Sequence, residues 1–472
     1  MSLDSIMLVR WTFLSTILVN GLLFVEGAPK RTLVRISHRG ARLDIRLIPS
    51  MMAKTMTAFN GESYLLTPED RECERCFAQD GMIYDLNAVG VQIVDSACSV
   101  GHSQILSYLR KAEVTLGIDF DCEPDSVVTI NPLPRPVRAQ NSSNCTGGNP
   151  VLGTNDPGSS CQRSLEVIRI GAAWQAARSA KRKLREIVLA ISDSGVDMTH
   201  PDLVHQFWRN PSDNSIGYNF ITNSTDVTDD FEHGTHCAGN AAAQTNNSLG
   251  IAGVANIDGS VLNVKLMILK FLNASGRGWV SDEARALNFA VENGATVSSH
   301  SYGAYAPSPI ARIAFENAAA AGHIAVAAAG NDGMSLEKAT FYPCTYAENI
   351  TSLICVAAST SDPTKPISLV DWSNAGPITK IAAPGVGIYS TIPDGSYAAR
   401  DGTSVSTPTV AGVAALLATL GLTGQNITDT IFESRTAAIP NKFDFYYIGE
   451  IDALKAVQKA LEKLGGRSFR SS

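Results

Sequence analysis

The 472 residues are 44% hydrophobic and 18% charged, enough apolar material for about two to three folded units and too much for a disordered chain. A formal net charge of −7 lacks the basic excess that nucleic acid or an anionic membrane surface requires, so neither is expected as a partner. Short basic clusters such as KRKLR at Lys181 read as solvated faces.

At the N-terminus, Arg10 precedes the apolar run WTFLSTILVNGLLFV, and small residues follow around Gly27 and Ala28. This is the pattern of a cleaved secretory signal over residues 1–27, which places the product outside the cell. The run is short for a membrane span and carries Thr12, Ser15, Thr16 and Asn20, so no stable anchor is expected.

Residues 28–140 hold short β-type runs, TLVRIS, VGVQIVD and SVVTI, around the helical stretch SQILSYLRKAEVTLG, the pattern of a small α+β unit. From Asn131 to Ser160 the chain is rich in Pro, Gly, Asn and Ser, which marks a boundary, and the linker is placed at 141–163. Over 164–465, helical patterns alternate with β-branched runs such as EIVLAISDSG, NVKLMILKFL and GHIAVAAAGN, as a parallel sheet covered on both faces demands. One large α/β domain is expected there, with its chemistry at the carboxyl ends of the strands and a short tail at 466–472.

Nine cysteines fit an oxidising compartment. Spacing predicts Cys145–Cys161 and Cys344–Cys355 as disulfides, leaves Cys237 unpaired, and allows three pairings among Cys73, Cys76, Cys98 and Cys122. Sequons stand at Asn141, Asn144, Asn223, Asn246, Asn273, Asn349 and Asn426.

Four stretches carry chemistry. EIVLAISDSGVDMTHPDL puts Asp193 directly after an apolar strand, where a carboxylate also serves as a plain turn residue. DFEHGTHCAGN puts His233 and His236 at the start of a small-residue helix, with no third ligand for zinc. AVAAAGNDG places Asn331 after a strand of very small residues. In DGTSVSTPTVAGVAALLATL, Ser404 opens a buried helix in which Pro408 suits a first turn. There the helix N-terminus favours developing negative charge, and hydroxyls there also cap helices.

In this order, Asp then His then Ser, the motifs DSGVDMTHPDL, HGTHCAG, AAAGNDG and DGTSVSTPTVAG resemble those of the subtilisin-like serine proteases over roughly Ser164 to Lys463. The resemblance implies Ser404 as nucleophile, His233 as general base and acid, Asp193 as the carboxylate orienting it, and Asn331 as an oxyanion donor. Ser301, Tyr302, Gly303, Ala329 and Gly330 resemble the walls of the substrate site, which implies a polypeptide bound as an added strand. Asp332 is expected near the pocket, favouring a basic side chain. Cys237 resembles the free cysteine of the proteinase K-like branch. Val405, Ser406 and Thr407 depart from the Met and Ala more usual after the serine, and an apolar Val405 is expected to preserve activity.

The resemblance also implies a structural Ca2+ held by Asp202 and Asn247 with carbonyls of Thr245, Leu249 and Ile251; its ligand near the mature N-terminus is not identifiable. Residues 28–140 become a propeptide acting as intramolecular inhibitor, with activation inside the linker. A monomeric secreted endopeptidase made as a zymogen is therefore expected, degradative or processing. The rival reading is a silent relative that binds peptides.

Overall fold

The computed structural model describes residues 31–465 apart from 39–40, 59–65, 80–81, 96–99, 131–144, 258–262 and 446. The expected leader at 1–27, the tail at 466–472, Asn141, Asn144 and Cys98 lie outside the described residues.

The apolar runs after residue 185 fold as an eight-stranded sheet. In spatial order its strands are Gly449–Glu450, Ile381–Pro384, Leu353–Ser359, Ile324–Ala328, Val297–His300, Ile187–Asp193, Val264–Lys270 and Gly217–Asn219. Every pairing is parallel. Because strand side chains alternate, both faces must be covered. Leu189, Ile191, Ile268 and Val326 face one core with helices His233–Ala242 and Thr403–Leu420, whereas Ala190, Met267, Leu269 and Ala327 face the other with Val280–Glu292 and Pro309–Ala320. Helix Thr403–Leu420 is long and apolar enough to cross a membrane, but it is wholly buried as the central core helix.

Pro408 lies further into this helix than the first turn expected for it. Lacking an N–H, it leaves the Ser404 carbonyl without its partner four residues on. That carbonyl instead accepts the Ser301 hydroxyl at 2.8 Å and the Cys237 thiol at 3.5 Å.

The early unit is α+β: an antiparallel sheet built around Arg31–His38, Ile83–Leu86, Val91–Asp95 and Ile118–Pro124, covered by helices Ile48–Ala58, Pro68–Phe77 and His102–Leu116. Its third expected run leaves that sheet. Val127–Thr129 pairs antiparallel with Arg277–Trp279 of the larger unit, and Thr129 exchanges both backbone hydrogen bonds with Gly303 at 2.8 and 2.9 Å. The early unit also docks on two helix starts. Asp125 accepts the Ser281 N–H and hydroxyl at 2.9 and 2.6 Å, Arg31 meets Asp282 at 2.5 Å, and the Ser308 hydroxyl donates to Glu123. Acidic groups there complement the exposed N–H ends of the helices.

The stretch expected as linker differs. From Cys145 onward it packs into the larger unit, with Leu152 and Asp156 buried, so the body of that unit begins well before 164. Its polar residues satisfy backbone internally: Asn149 caps Val151 and Leu152, and Asp156 accepts three N–H groups from 246–248. Cys145–Cys161 and Cys344–Cys355 are disulfides. Cys76 is disulfide-bonded, while Cys73, Cys122 and Cys237 are free.

Candidate active site

Parallel pairing brings the carboxyl ends of the strands to one edge, so Asp193, Lys270, Ser301 and the segment 329–331 converge there. The imidazole of His233, the first residue of its helix, meets Asp193 through Nδ1 at 2.8 and 3.0 Å from the two carboxylate oxygens. Ser194 donates its backbone N–H to the same carboxylate at 2.7 Å. Burial opposes a charged imidazole, but the adjacent Asp193 outweighs it and holds the His233 pKa well above its ordinary value. Nδ1 engaged with a carboxylate leaves Nε2 as the basic nitrogen. Nε2 and the Ser404 hydroxyl are both buried, and neither has a hydrogen-bond partner among the described residues.

Asp229, which the sequence reading did not single out, shapes the turn that delivers His233. One carboxylate oxygen accepts the Ser194 hydroxyl and the N–H groups of Phe231 and Glu232; the other accepts the N–H and hydroxyl of Thr235. His236 turns the opposite way. Its Nε2–H donates to the Ile388 and Ala398 carbonyls at 3.0 and 3.2 Å, and burial pushes its pKa down to about 3. Asp193, His233 and Cys237 are close enough to suggest a metal cluster. However, Nδ1 is committed to Asp193, and burial pushes the Cys237 thiol up, keeping it protonated and directed at the Ser404 carbonyl.

Asn331 is aimed by Thr403. Its side-chain oxygen accepts the Thr403 N–H and hydroxyl, each at 2.9 Å, while that hydroxyl accepts the Gly330 N–H at 3.1 Å. With the oxygen occupied, the NH2 end is the part of the amide left to donate elsewhere. Thr403, read from sequence as a helix-start hydroxyl, therefore does more than cap. Ser406 and Thr407 do bond backbone carbonyls, of Pro384 and Thr403.

Of the expected substrate walls, Ser301, Gly303, Ala329 and Gly330 line this edge, but the Tyr302 side chain does not. On an extended chain, alternate residues face opposite sides. Tyr302 is 1% exposed, its ring packed 4.7 Å from Phe271. Its hydroxyl enters a buried chain of polar groups beneath the strand: His300 Nδ1 at 2.6 Å, then His300 Nε2 to Ser298 Oγ, Ser298 Oγ to His323 Nε2, and His323 Nδ1 to the Ala295 carbonyl, each at 2.7 Å. Glu283 meets the Tyr302 hydroxyl at the far end. Burial lowers His300 and His323 to about 3 and 4 and raises Glu283 to about 8. A carbonyl only accepts, so neutral rings impose one direction, running from protonated Glu283 through Tyr302, His300, Ser298 and His323 to Ala295. Asp332 accepts the Tyr305 hydroxyl.

Fully buried Asp202 accepts Ile251 N–H, the Asn247 amide and the Tyr397 hydroxyl, and burial raises its pKa to about 6. Buried Asp156 raises it further by its own charge. Among the described residues neither carboxylate has an ion pair, and the carbonyls of Thr245, Leu249 and Ile251 accept no hydrogen bond. Two uncompensated carboxylates beside unengaged carbonyls make a donor set that fits a hard divalent cation. The Asn247 side-chain oxygen is turned to the Leu249 N–H instead. Asp156, which the sequence did not single out, lies beside Asp202 and accepts the N–H groups of residues 246–248.

The profile of the subtilase family matches residues 185–447. Thermitase of Thermoactinomyces vulgaris is 36% identical over 305 residues, covering 64% of this chain and 99% of thermitase. Subtilisin E of Bacillus subtilis (strain 168) is 34% identical over 276 residues, covering 58% and 66% of the two chains. A solved protease structure from Pseudoalteromonas arctica PAMC 21717 superposes with a TM-score of 0.54 at 26% identity, covering 65% of this chain and 99% of that one. With a parallel sheet delivering an aspartate, a histidine and a serine to one edge, and a family match over more than half its length, this chain belongs to the subtilase family of serine endopeptidases, which work through an Asp-His-Ser triad.

Proposed function

We propose that the chain is a secreted endopeptidase made as a zymogen, in which Ser404 attacks the peptide carbonyl and forms an acyl-enzyme. His233 takes the hydroxyl proton through Nε2 and returns it to the leaving amine, while Asp193 fixes the ring and stabilises its charged form. The Asn331 amide and the Ser404 N–H, an orphan donor of the first helical turn, stabilise the oxyanion. The observation that carries this reading is the His233 Nδ1 bond to Asp193, because it commits one ring nitrogen and leaves the other free to act as base.

Polypeptide substrate binds as an added strand between Arg277–Trp279 and Ser301–Gly303, with Ala329 and Gly330 on the opposite wall. Residues 28–140 act as intramolecular inhibitor, a role supported by Val127–Thr129 lying in that groove in strand register. Asp156 and Asp202, with the carbonyls of Thr245, Leu249 and Ile251, would hold Ca2+, whose charge would balance the two carboxylates and tie the 245–251 loop to the early part of the body.

Secretory expression of the intact chain and of Ser404→Ala tests the proposal. Self-processing and cleavage of a protein substrate by the intact chain alone supports it. Identical behaviour of both, with no cleavage after residues 28–140 are removed, refutes it in favour of a peptide-binding relative.

A further inference from the structure

We propose that Phe341 fills the primary specificity pocket and restricts the residue before the scissile bond to a small side chain: glycine, alanine or serine. This rests on the protease reading above and names its substrate class.

The pocket lies between the chain extensions 301–303 and 329–331, which continue two adjacent parallel strands. A polypeptide paired with Gly303 as Thr129 is, and running toward Ser301, reaches Ser404, because the Ser301 hydroxyl holds the Ser404 carbonyl. The side chain beside the attacked carbonyl then enters the gap between the two extensions, whose facing walls are glycines.

The Phe341 ring occupies that gap. A Cβ built on Gly303 would fall 2.4 Å from Cε1 and Cζ, and one built on Gly330 would fall 3.3 Å from Cγ and Cδ1. One ring therefore lies against both walls, its Cε1–Cζ edge toward Gly303 and its Cγ–Cδ1 edge toward Gly330. Phe341 is 2% exposed, so the space is filled. The ring is also fixed. Phe341 exchanges hydrogen bonds with Thr345, donating its N–H to the Thr345 hydroxyl and accepting the Thr345 N–H, both at 2.9 Å. Tyr342 pairs with Ala304 in both directions at 2.8 and 2.9 Å. The Tyr305 ring crosses it edge-on at 5.4 Å. Packed interiors resist extra volume, so a bulky side chain cannot enter without displacing a ring held on three sides. The basic preference expected from Asp332 gives way as well, since that carboxylate accepts the Tyr305 hydroxyl at the rim.

The test compares the full chain, expressed through a secretory host and freed of its early unit, with Phe341→Leu and Phe341→Ala. The substrates are peptides identical except for Ala, Leu, Phe or Arg before the scissile bond. The native protein is expected to favour Ala over Phe by about 100-fold in kcat/KM. Phe341→Leu and Phe341→Ala should raise Leu and Phe cleavage stepwise while Ala stays within a few-fold. Phe341→Leu keeps an apolar filler should Phe341→Ala fold poorly. Native cleavage of Phe or Arg peptides as fast as the Ala peptide overturns the proposal, as does a uniform change across all four peptides. Absence of all cleavage, with a fluorophosphonate failing to label Ser404, instead overturns the protease reading beneath it.

Discussion

Replacing Thr403 by Val tests how the oxyanion donor is aimed. The Asn331 oxygen accepts two bonds from Thr403, and Val keeps the shape and the N–H while deleting the hydroxyl. That removes one of the two bonds fixing the amide and takes the acceptor from the Gly330 N–H. A lost hydrogen bond costs roughly 1 kcal/mol, and an orphaned buried donor roughly 1–3 kcal/mol. The second cost falls mainly on stability, whereas about 1 kcal/mol of lost aim reaches the transition state, or about fivefold in kcat. Deleting the donor itself with Asn331→Leu should cost about 10²–10³ in kcat, the magnitude known for the equivalent loss in a subtilisin. The assay is steady-state kinetics on one peptide, separating kcat from KM, with Tm measured alongside. An unchanged kcat in Thr403→Val beside a large drop in Asn331→Leu would show that Thr403 does not aim the amide. A loss confined to KM in both would refute the oxyanion role.

Stability should fall as pH rises from about 4.5 to about 8, because the folded chain keeps the Glu283 proton that the unfolded chain has released. Glu283→Gln, which retains a donor toward Tyr302, should flatten that slope; Tm across pH 5 to 9 checks it, and a parallel curve counts against a buried neutral Glu283. Chelation with EDTA should lower Tm of the native protein, while Asp156→Asn and Asp202→Asn should each start lower and respond less. An EDTA response unchanged in both variants would place the cation elsewhere. A small mercurial should inactivate the native enzyme through Cys237, which lies 3.8 Å from His233 Nδ1, and Cys237→Ala should retain activity and resist the reagent.

What could be read from sequence was whatever depends on neighbours in the chain. Asp193, His233, Asn331 and Ser404 each stand at the end of a strand or the start of a helix with an unmistakable local pattern, and the fold brings those ends to one edge. Partnerships across long separations were not visible. SVVTI reads as a strand of its own unit, yet its partner is Arg277–Trp279, roughly 150 positions on. Residues 141–163 read as a linker because Asn, Pro and Gly signal turns, but from Cys145 on the buried side chains of Asn149, Leu152 and Asp156 tie those turns to the larger unit. Tyr302 illustrates the limit of motif reading: its neighbour Ser301 turns toward Ser404, and alternation turns the Tyr302 side chain to the opposite, buried side.

The line of polar groups beneath strand Val297–His300 has a genetic consequence. Because its donors all point one way toward the Ala295 carbonyl, deleting one link strands the groups on both sides of it. Single changes at Ser298, His300 and His323 should therefore each carry most of the penalty of removing all three, so combined variants should cost less than the sum of their parts. Such a segment is replaced in evolution as a block: apolar side chains can take over the whole line together, while a one-residue path between the two solutions passes through weaker proteins.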